Sequence, residues 1–252
     1  MTGIGTGSWS AGKMMHQELR RQVCDANKRL ADSGLVVLTW GNVSGIDRAK
    51  SVVAIKPSGV EYGRLSPANI VLVDMEGNTL EGNLKPSVDL PAHLELYKAF
   101  EQIGSVVHTH SKYATMFAQA ETPINCFGTT QADYFYGQIP VTRMVTPEET
   151  REYEANIGRV IVEHFRKNRI DYRSMAACLA GGHGPFVWAS GAPEKAVENA
   201  LVLEHIAEMA YGTLCIKPAQ PALPRHLQDL HWSRKHGPKA RYGQDSRQIP
   251  DA

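Results

Sequence analysis

The stretch "SVVHTHSKYA", residues 105–114, ends an apolar run with His108 and His110, which are one residue apart. Side chains two positions apart lie on the same face of a β-strand. The run "SVVHTH" therefore predicts a strand whose two imidazole rings point in the same direction. Such a pair either packs within the protein or supplies two ligands to one metal ion, and the surrounding segments must distinguish these interpretations.

The segments around this strand alternate between helix-forming and strand-forming patterns. Helices are predicted over 14–34, 89–103, 111–120, 147–168 and 192–216. Strands are predicted over 35–42 ("LVVLTWGN") and 51–57, joined by a turn over 43–50, and as strand pairs within 69–82 and 176–190. Strand pairs flanked by helices indicate an α/β fold, with three α/β/α layers around a mixed, largely antiparallel central sheet.

Composition places the chain among ordinary globular proteins. It has 252 residues, of which 42% are hydrophobic and 21% charged, and its formal net charge is +1. We expect a single domain over 15–244, between a flexible extension (1–14) and a flexible tail (245–252). The near-zero net charge argues against nucleic acid as a partner, and the absence of a long apolar run argues against a membrane. Four dispersed cysteines without a CxxC pair favour a reducing cytoplasm.

Two further residues extend the histidine pair into a candidate metal site. His183 lies between glycines in "GGHGP", where the backbone can bend sharply or approach a ligand, although it could equally be a turn residue. Asp89 stands at a predicted helix start, a position that also favours a simple N-cap. Three imidazoles and one carboxylate suit a divalent transition ion, most simply Zn²⁺.

Seven motifs occur in the order seen in one enzyme superfamily. They are "LTWGNVSG", "IKPSGV", "KPSVD", "VVHTHS", "QADYFYG", "GGHGPFVW" and "RKHGPKARYGQ". Over roughly 15–244 the chain resembles the class II aldolase and epimerase superfamily, and within it the L-ribulose-5-phosphate 4-epimerases. By motif match, the superfamily's zinc ligands fall on Asp89, His108, His110 and His183.

The resemblance implies a zinc-dependent interconversion of L-ribulose 5-phosphate and D-xylulose 5-phosphate. The C3–C4 bond breaks in a retro-aldol step, the aldehyde rotates, and the bond re-forms with C4 inverted. This chemistry belongs to carbohydrate metabolism, with arabinose catabolism as the expected pathway. It needs no redox cofactor, and the sequence carries no dinucleotide-binding fingerprint.

The resemblance also implies the groups that move protons. They are Asp133 of "QADYF" and Tyr242 of "RYGQ", with His231 of "LHWSRKHG" placed near them. A carboxylate can act as a base and a phenol as an acid. Without the resemblance, Asp133 reads as a loop carboxylate that caps a turn, Tyr242 as a packing residue of the tail, and His231 as a histidine on a helix surface.

The superfamily binds the substrate phosphate through turns with exposed backbone N–H groups and hydroxyls. The matching positions here are Gly41, Asn42, Lys56, Ser58, Gly59, Ser87 and Thr129. Lys56 could supply positive charge, or it could be a solvated lysine at a strand end. Two positions depart from the epimerase pattern: Val88 replaces a serine beside the phosphate, and Gln131 stands where a histidine is common.

Two other functions remain open at this point. The first is a sugar-phosphate aldolase, such as an L-fuculose-1-phosphate aldolase, or a related decarboxylase. These aldolases usually carry a glutamate where this chain has Asp89, which favours the epimerase. The second is a non-enzymatic interaction module like the adducin head, which the intact set of four ligands argues against. The resemblance further implies a homotetramer with active sites at the subunit contacts.

Overall fold

In the computed structural model, which describes residues 16–238 and residue 240, helices cover both faces of a seven-stranded β-sheet. The strands are β1 (Asn42–Asp47), β2 (Val52–Ile55), β3 (Val71–Val73), β4 (Thr79–Glu81), β5 (Ser105–His108), β6 (Ala177–Ala180) and β7 (Gly184–Ala189). The helices are α1 (Gln17–Asp32), α2 (Leu90–Ala99), α3 (Lys112–Gln119), α4 (Thr129–Ala132), α5 (Tyr153–Lys167), α6 (Pro193–Ile216) and α7 (Arg225–His236). The predicted extension, the predicted tail and Tyr242 lie outside the described residues.

The sheet has the strand order β4-β3-β2-β1-β5-β7-β6, and every neighbouring pair is antiparallel. One isolated bridge, between Val141 and Leu179, is parallel. Strand β5 lies between β1 and β7, and Val106 and Val107 are fully buried on its two faces. The stretch that carries the two histidines is therefore near the middle of the sheet.

Two consecutive residues of β1 identify the layers. The Ser44 hydroxyl lies 2.8 Å from the Tyr97 hydroxyl of α2. At Gly45, an added Cβ would lie 2.9 Å from Pro193 of α6 and 3.1 Å from Leu19 of α1. Because successive residues of a strand face opposite sides, α2 lies on one face of the sheet and α1 and α6 lie on the other. The prediction of three α/β/α layers around a largely antiparallel sheet is confirmed.

The predicted strand over 35–42 is wrong. Strand β1 begins only at Asn42 and runs through most of the segment that was predicted as a turn. Three apolar residues before it, Val37, Leu38 and Trp40, lie at the surface, with Leu38 77% and Trp40 55% exposed, and Leu38 has a left-handed φ of 53°. Strand β1 instead buries the polar side chains of Asn42 and Ser44, so apolar alternation does not mark its position.

The remaining predicted elements are present, with shorter bounds at most ends. The predicted helix over 147–168 begins as a 3-10 helix, Glu148–Glu152, and continues as α5. Helix α7 was not predicted, because few of its residues are apolar and only Gln228 is buried. No helix in the described part of the chain has both the length and the hydropathy needed to cross a bilayer.

Candidate active site and metal centre

Three histidines meet at one end of the central strands. His108 is the last residue of β5, where it pairs with Asn42 of β1 and Phe186 of β7. Because β5 is antiparallel to both neighbours, its C-terminal end lies beside their N-terminal ends. His110 follows β5 by two residues, and His183 immediately precedes β7.

The imidazole nitrogens of the three histidines face one another. The Nε2 of His108 lies 3.1 Å from the Nε2 of His110 and 3.1 Å from the Nε2 of His183. One ligand nitrogen from each ring falls within 4.8 Å of the others. We call His108, His110 and His183 the histidine triad.

A glycine permits the close approach of the two segments that carry the triad. A Cβ added to Gly184 would lie 2.6 Å from the Thr109 carbonyl oxygen, which is closer than real side chains come. The preceding Gly182 has a left-handed φ of 69°, which favours glycine. The "GGHGP" turn therefore brings His183 against His108 in a way that larger residues would prevent.

Hydrogen bonds behind the rings fix their orientation. The Nδ1 of His108 lies 3.0 Å from the Pro185 carbonyl oxygen. A carbonyl only accepts, so this Nδ1 carries the proton and the Nε2 of neutral His108 has a free lone pair. Burial lowers the pKa of His108 far below its usual value and also lowers the pKa of His183. Both rings are therefore neutral at pH 7, as metal ligands must be.

The spacing and chemistry of the triad suit zinc. Zn–N bonds of about 2.0–2.1 Å in a tetrahedral site place ligand nitrogens about 3.3–3.4 Å apart. The two Nε2–Nε2 distances of 3.1 Å are close to that spacing. Without a cation, the Nε2 lone pairs of His108 and its neighbours would face one another, and a shared divalent ion would give them a common partner.

Asp89 stands next to the triad but outside its compact group. It occupies the N-cap position of α2, yet its carboxylate caps no backbone N–H. The carboxylate instead accepts a 2.6 Å hydrogen bond from the Asn42 amide. Burial opposes ionisation, but His108 and the Asn42 amide favour it, and the net result holds the pKa of Asp89 below its usual value. A half-buried carboxylate beside three imidazoles suits a fourth ligand.

Lys56 lies buried near Asp89. Only 2% of Lys56 is exposed, so the interpretation as a solvated lysine at a strand end is wrong. Its ammonium lies 4.8 Å from the centre of the Tyr62 ring. Burial lowers the pKa of Lys56 while the Asp89 carboxylate opposes the shift. The Oδ1 of Asn42 is also buried and has no hydrogen-bond partner among the described residues.

The two "KPS" segments run side by side at the edge of this site. The Ser58 N–H donates to the Lys85 carbonyl, and the Ser87 N–H donates to the Lys56 carbonyl, both at 2.9 Å. Ser58 and Gly59 are exposed, whereas the Ser87 hydroxyl is nearly buried and lies 3.0 Å from the Asn42 amide nitrogen. The segments therefore present hydroxyls next to Lys56, an arrangement that suits an oxyanion.

Gly41 joins the exposed loop to β1 at the same end of the sheet. Its φ is 112°, and an added Cβ would lie 2.7 Å from Val36 and 3.0 Å from the His108 carbonyl oxygen. Glycine is therefore required at this position on two grounds, backbone conformation and space.

A second polar group forms between α4 and α7. The Asp133 carboxylate lies 3.1 Å from the Nδ1 of His231, and the Asp133 carbonyl accepts a 2.9 Å hydrogen bond from His236. Thr129 begins α4 and is exposed. Among the described residues, no hydrogen bond, ion pair or ring contact links Asp133 or His231 to the histidine triad.

The two positions that depart from the epimerase pattern differ in role. Gln131 is 3% exposed, and its amide donates to the carbonyls of Ile124 and Gly137 at 3.3 and 2.8 Å. It therefore holds the turn around α4 in place. Val88 is 64% exposed beside Ser87 and offers no polar atom to a ligand.

Two features of the site were not identified from the sequence. Tyr153 places its hydroxyl 3.0 Å from the Nδ1 of His183, and no motif marks it. Behind the sheet, the Ser44 hydroxyl lies 2.7 Å from the Nδ1 of fully buried His93. The sequence signal for this contact between Ser44 and His93 is a histidine on the apolar face of α2.

Known proteins share both the sequence and the fold of this chain. The sequence model of the family described as class II aldolase and adducin N-terminal domain matches residues 21–211. The chain belongs to this family.

The curated relatives within the family are epimerases by name. The chain is 46% identical over 236 residues to the probable L-ribulose-5-phosphate 4-epimerase UlaF of Mycoplasma pneumoniae, which covers 93% of this chain and 98% of the relative. It is 46% identical over 229 residues to L-ribulose-5-phosphate 4-epimerase UlaF of Salmonella paratyphi C, which covers 90% and 99%. The solved structure of an L-fuculose 1-phosphate aldolase, 24% identical, superposes with a TM-score of 0.69 over 86% of this chain and 95% of that one. This structural similarity supports the assignment of the fold.

Proposed function

We propose that the chain is a metal-dependent L-ribulose-5-phosphate 4-epimerase that interconverts L-ribulose 5-phosphate and D-xylulose 5-phosphate. The observation that carries the proposal is the histidine triad, in which the Nε2 of His108 lies 3.1 Å from the Nε2 of each of the other two rings. The curated relatives with 46% identity bear the name of the same activity.

The triad and Asp89 would hold the cation, which we propose to be zinc. When bound, a zinc ion supplies Lewis-acid stabilisation for the oxygens of a ketose. The hydrogen bond between His108 and the Pro185 carbonyl presents the His108 lone pair for this purpose, and Asn42 keeps the Asp89 carboxylate ionised and oriented. The chain thus presents neutral imidazoles at His108 and His183 and an ionised carboxylate at Asp89 before the cation arrives.

Proton transfer at the C4 hydroxyl falls to Asp133 and Tyr242. Cleavage of C3–C4 requires a base for the C4 hydroxyl proton, and recombination on the opposite face of the aldehyde requires an acid for the new hydroxyl. His231, 3.1 Å from the Asp133 carboxylate, orients that carboxylate. Groups of this kind on the two sides of the aldehyde give inversion at C4.

The phosphate would bind against the paired "KPS" segments. We propose that the Ser58 and Ser87 hydroxyls and the Lys56 ammonium donate to the phosphate oxygens, with the backbone N–H groups of Gly41 and Gly59 and the Thr129 hydroxyl as further donors. Anchoring the phosphate holds one fragment while the aldehyde rotates.

We further propose a cytoplasmic homotetramer with active sites between subunits. The Asp133–His231 pair and the triad make no contact within the described part of one chain, so a neighbouring copy is the natural source of the second set. All four cysteines are unpaired thiols, which suits a reducing compartment.

Product analysis tests the activity. Zinc-loaded protein is incubated with L-ribulose 5-phosphate, and the products are separated and identified. Formation of D-xylulose 5-phosphate supports the epimerase. Net release of glycolaldehyde phosphate and dihydroxyacetone would identify an aldolase, and no turnover with zinc bound would exclude both.

Asp133→Asn tests the proposed base. We expect a zinc content equal to that of the wild type and a turnover about 10²–10⁴-fold lower, because the amide cannot accept the proton. Asp229→Asn, which alters a neighbouring carboxylate on α7, is the matched control and should retain activity. Equal activity in Asp133→Asn and the wild type would remove Asp133 from the mechanism.

Hybrid oligomers test the shared sites. Asp133→Asn and His110→Ala subunits are each inactive alone under this proposal. Co-expressed at equal levels, they should regain about a quarter of the wild-type activity if each site combines two chains. No recovery in hybrids of proven mixed composition would contradict shared sites.

A further inference from the structure

Two of the three triad histidines have a hydrogen-bond partner behind the ring, and the two partners differ in kind. His108 is held by the backbone carbonyl of Pro185, which substitution cannot remove. His183 is held by a side chain, the hydroxyl of Tyr153, at 3.0 Å from its Nδ1. The Tyr153 ring also packs edge-on against the His183 ring, with centroids 5.8 Å apart.

His183 gains from such a partner, because the hydrogen bond from its backbone N–H to the Ala180 carbonyl, at 3.0 Å, does not fix the angle of its ring. It lies in a turn between glycines and is only half-buried. An imidazole whose Nε2 must present a lone pair carries its proton on Nδ1. The Tyr153 hydroxyl oxygen can accept a hydrogen bond from this Nδ1–H. That bond would fix both the tautomer and the angle of the His183 ring.

We propose that Tyr153 is a positioning residue for the metal centre, which fixes His183 in the tautomer and orientation that bind a divalent cation. This inference rests on the proposed metal site. It assigns Tyr153 no contact with the cation or the substrate.

The position of Tyr153 is set independently of any cation. It is the first residue of α5, directly after the 3-10 helix Glu148–Glu152. The Asn156 amide donates to the Glu149 carbonyl at 2.8 Å, and Arg143 binds both carboxylate oxygens of Glu149 at 2.7 and 2.8 Å. These bonds fasten the start of α5 beside the "GGHGP" turn, so the tyrosine hydroxyl is in place before a cation binds.

Tyr153→Phe removes only the hydroxyl and tests the proposal directly. Metal-free protein is titrated with zinc against a chelator of known affinity, and the dissociation constants of the variant and the wild type are compared. We expect zinc binding 10- to 100-fold weaker in Tyr153→Phe, the usual effect of losing a partner behind a metal-bound histidine. Tyr172→Phe is the matched control, because Tyr172 is also half-buried but stacks on Phe100, with ring centroids 4.6 Å apart, away from the triad.

Two further measurements separate positioning from a general structural role. The melting temperature of metal-free Tyr153→Phe should match that of the Tyr172→Phe control. The visible absorption of the cobalt-substituted protein should change in Tyr153→Phe alone, because it reports ligand arrangement. Zinc affinity within twofold of the wild type would overturn the proposal. If the wild type itself binds no zinc, the metal site fails instead, so the two failures are distinguishable.

Discussion

His108 illustrates why a single buried imidazole can define a centre. It is 1% exposed and stacks on Phe186, with ring centroids 4.3 Å apart. Such a position would normally favour an apolar side chain, because burying a polar group without partners is costly. The Pro185 carbonyl satisfies Nδ1, whereas Nε2 faces only two other imidazoles. The proposed shared cation would supply the missing partner of Nε2 and would explain why a histidine occupies the end of β5.

His110→Ala is the cleanest test of the triad. His110 is exposed, so its removal should leave the fold intact while the site loses one of its nitrogen ligands. We expect the purified variant to contain far less than one zinc per chain by elemental analysis, with an unchanged circular dichroism spectrum. His205→Ala, an exposed histidine of α6, is the control and should keep its zinc. Stoichiometric zinc in His110→Ala would contradict its assignment as a ligand.

Single residues were predictable from the sequence only where spacing or a motif constrained them. The i, i+2 spacing of His108 and His110 predicted rings on one side of a strand, and the glycines around His183 predicted a close approach. The burial of Lys56 was not predictable, because it depends on Tyr62 and Asp89 packing around it. The contact of Tyr153 with His183 joins residues 30 positions apart that no periodic pattern connects.

At the scale of elements, α2 connects the candidate metal centre to the core. Asp89 stands at its N-terminal end. At its other end, the Arg48 guanidinium donates to the carbonyls of Tyr97, Phe100 and Ile103 at 2.8, 2.9 and 2.9 Å. Carbonyls at a helix C-terminus lack intrahelical partners, so one arginine satisfies three groups and fixes the helix against β1.

Arg48→Met should therefore lower the free energy of unfolding by about 2–4 kcal/mol, because three partly buried carbonyls lose a charged donor. Urea unfolding at fixed protein concentration measures the change. Arg173→Met removes an exposed arginine that pairs with Asp171 and should change stability by less than about 0.5 kcal/mol. A loss for Arg48→Met no larger than that of this control would show that α2 does not depend on the cap.

Element prediction succeeded where one face of a segment is apolar and failed where it is not. The valines of β5 and the apolar residues of α6 mark their elements plainly. The segment 35–42 has strand-like composition yet exposes Val37, Leu38 and Trp40. Strand β1 instead buries Asn42 and Ser44 through hydrogen bonds to Ser87, Asp89, His93 and Tyr97. Those partners come from α2 and from the residues just before it, so local sequence could not reveal the strand.

At the scale of the whole molecule, burial lowers the pKa values of several histidines. The pKa values of His93, His108, His164 and His183 all lie below the usual value, and burial is the largest cause in each case. The unfolded chain binds protons at these sites near pH 6.5, whereas the folded chain does not. Folding therefore excludes protons, which makes stability depend on pH.

The sign and size of this dependence are clearest for His93, which is fully buried and has a pKa of about 4. Because its pKa is depressed on folding, its contribution is complete above pH 6.5 and is lost as the pH falls toward 4. A shift from about 6.5 to about 4 corresponds to about 3 kcal/mol. We expect the unfolding free energy of metal-free protein, measured in urea, to fall steadily between pH 7 and pH 4.5.

His93→Gln separates this contribution from those of the other histidines. Glutamine can still bond to the Ser44 hydroxyl, which lies 2.7 Å from the Nδ1 of His93, but it does not titrate. Between pH 6 and 4.5 the variant should therefore lose about 1.4 kcal/mol less stability per pH unit than the wild type, the value for one proton. His205→Gln, at an exposed site, should leave the slope unchanged. Parallel pH profiles for His93→Gln and the wild type would show that His93 is protonated in the folded chain, which would require a partner for its Nε2 that the buried network does not provide.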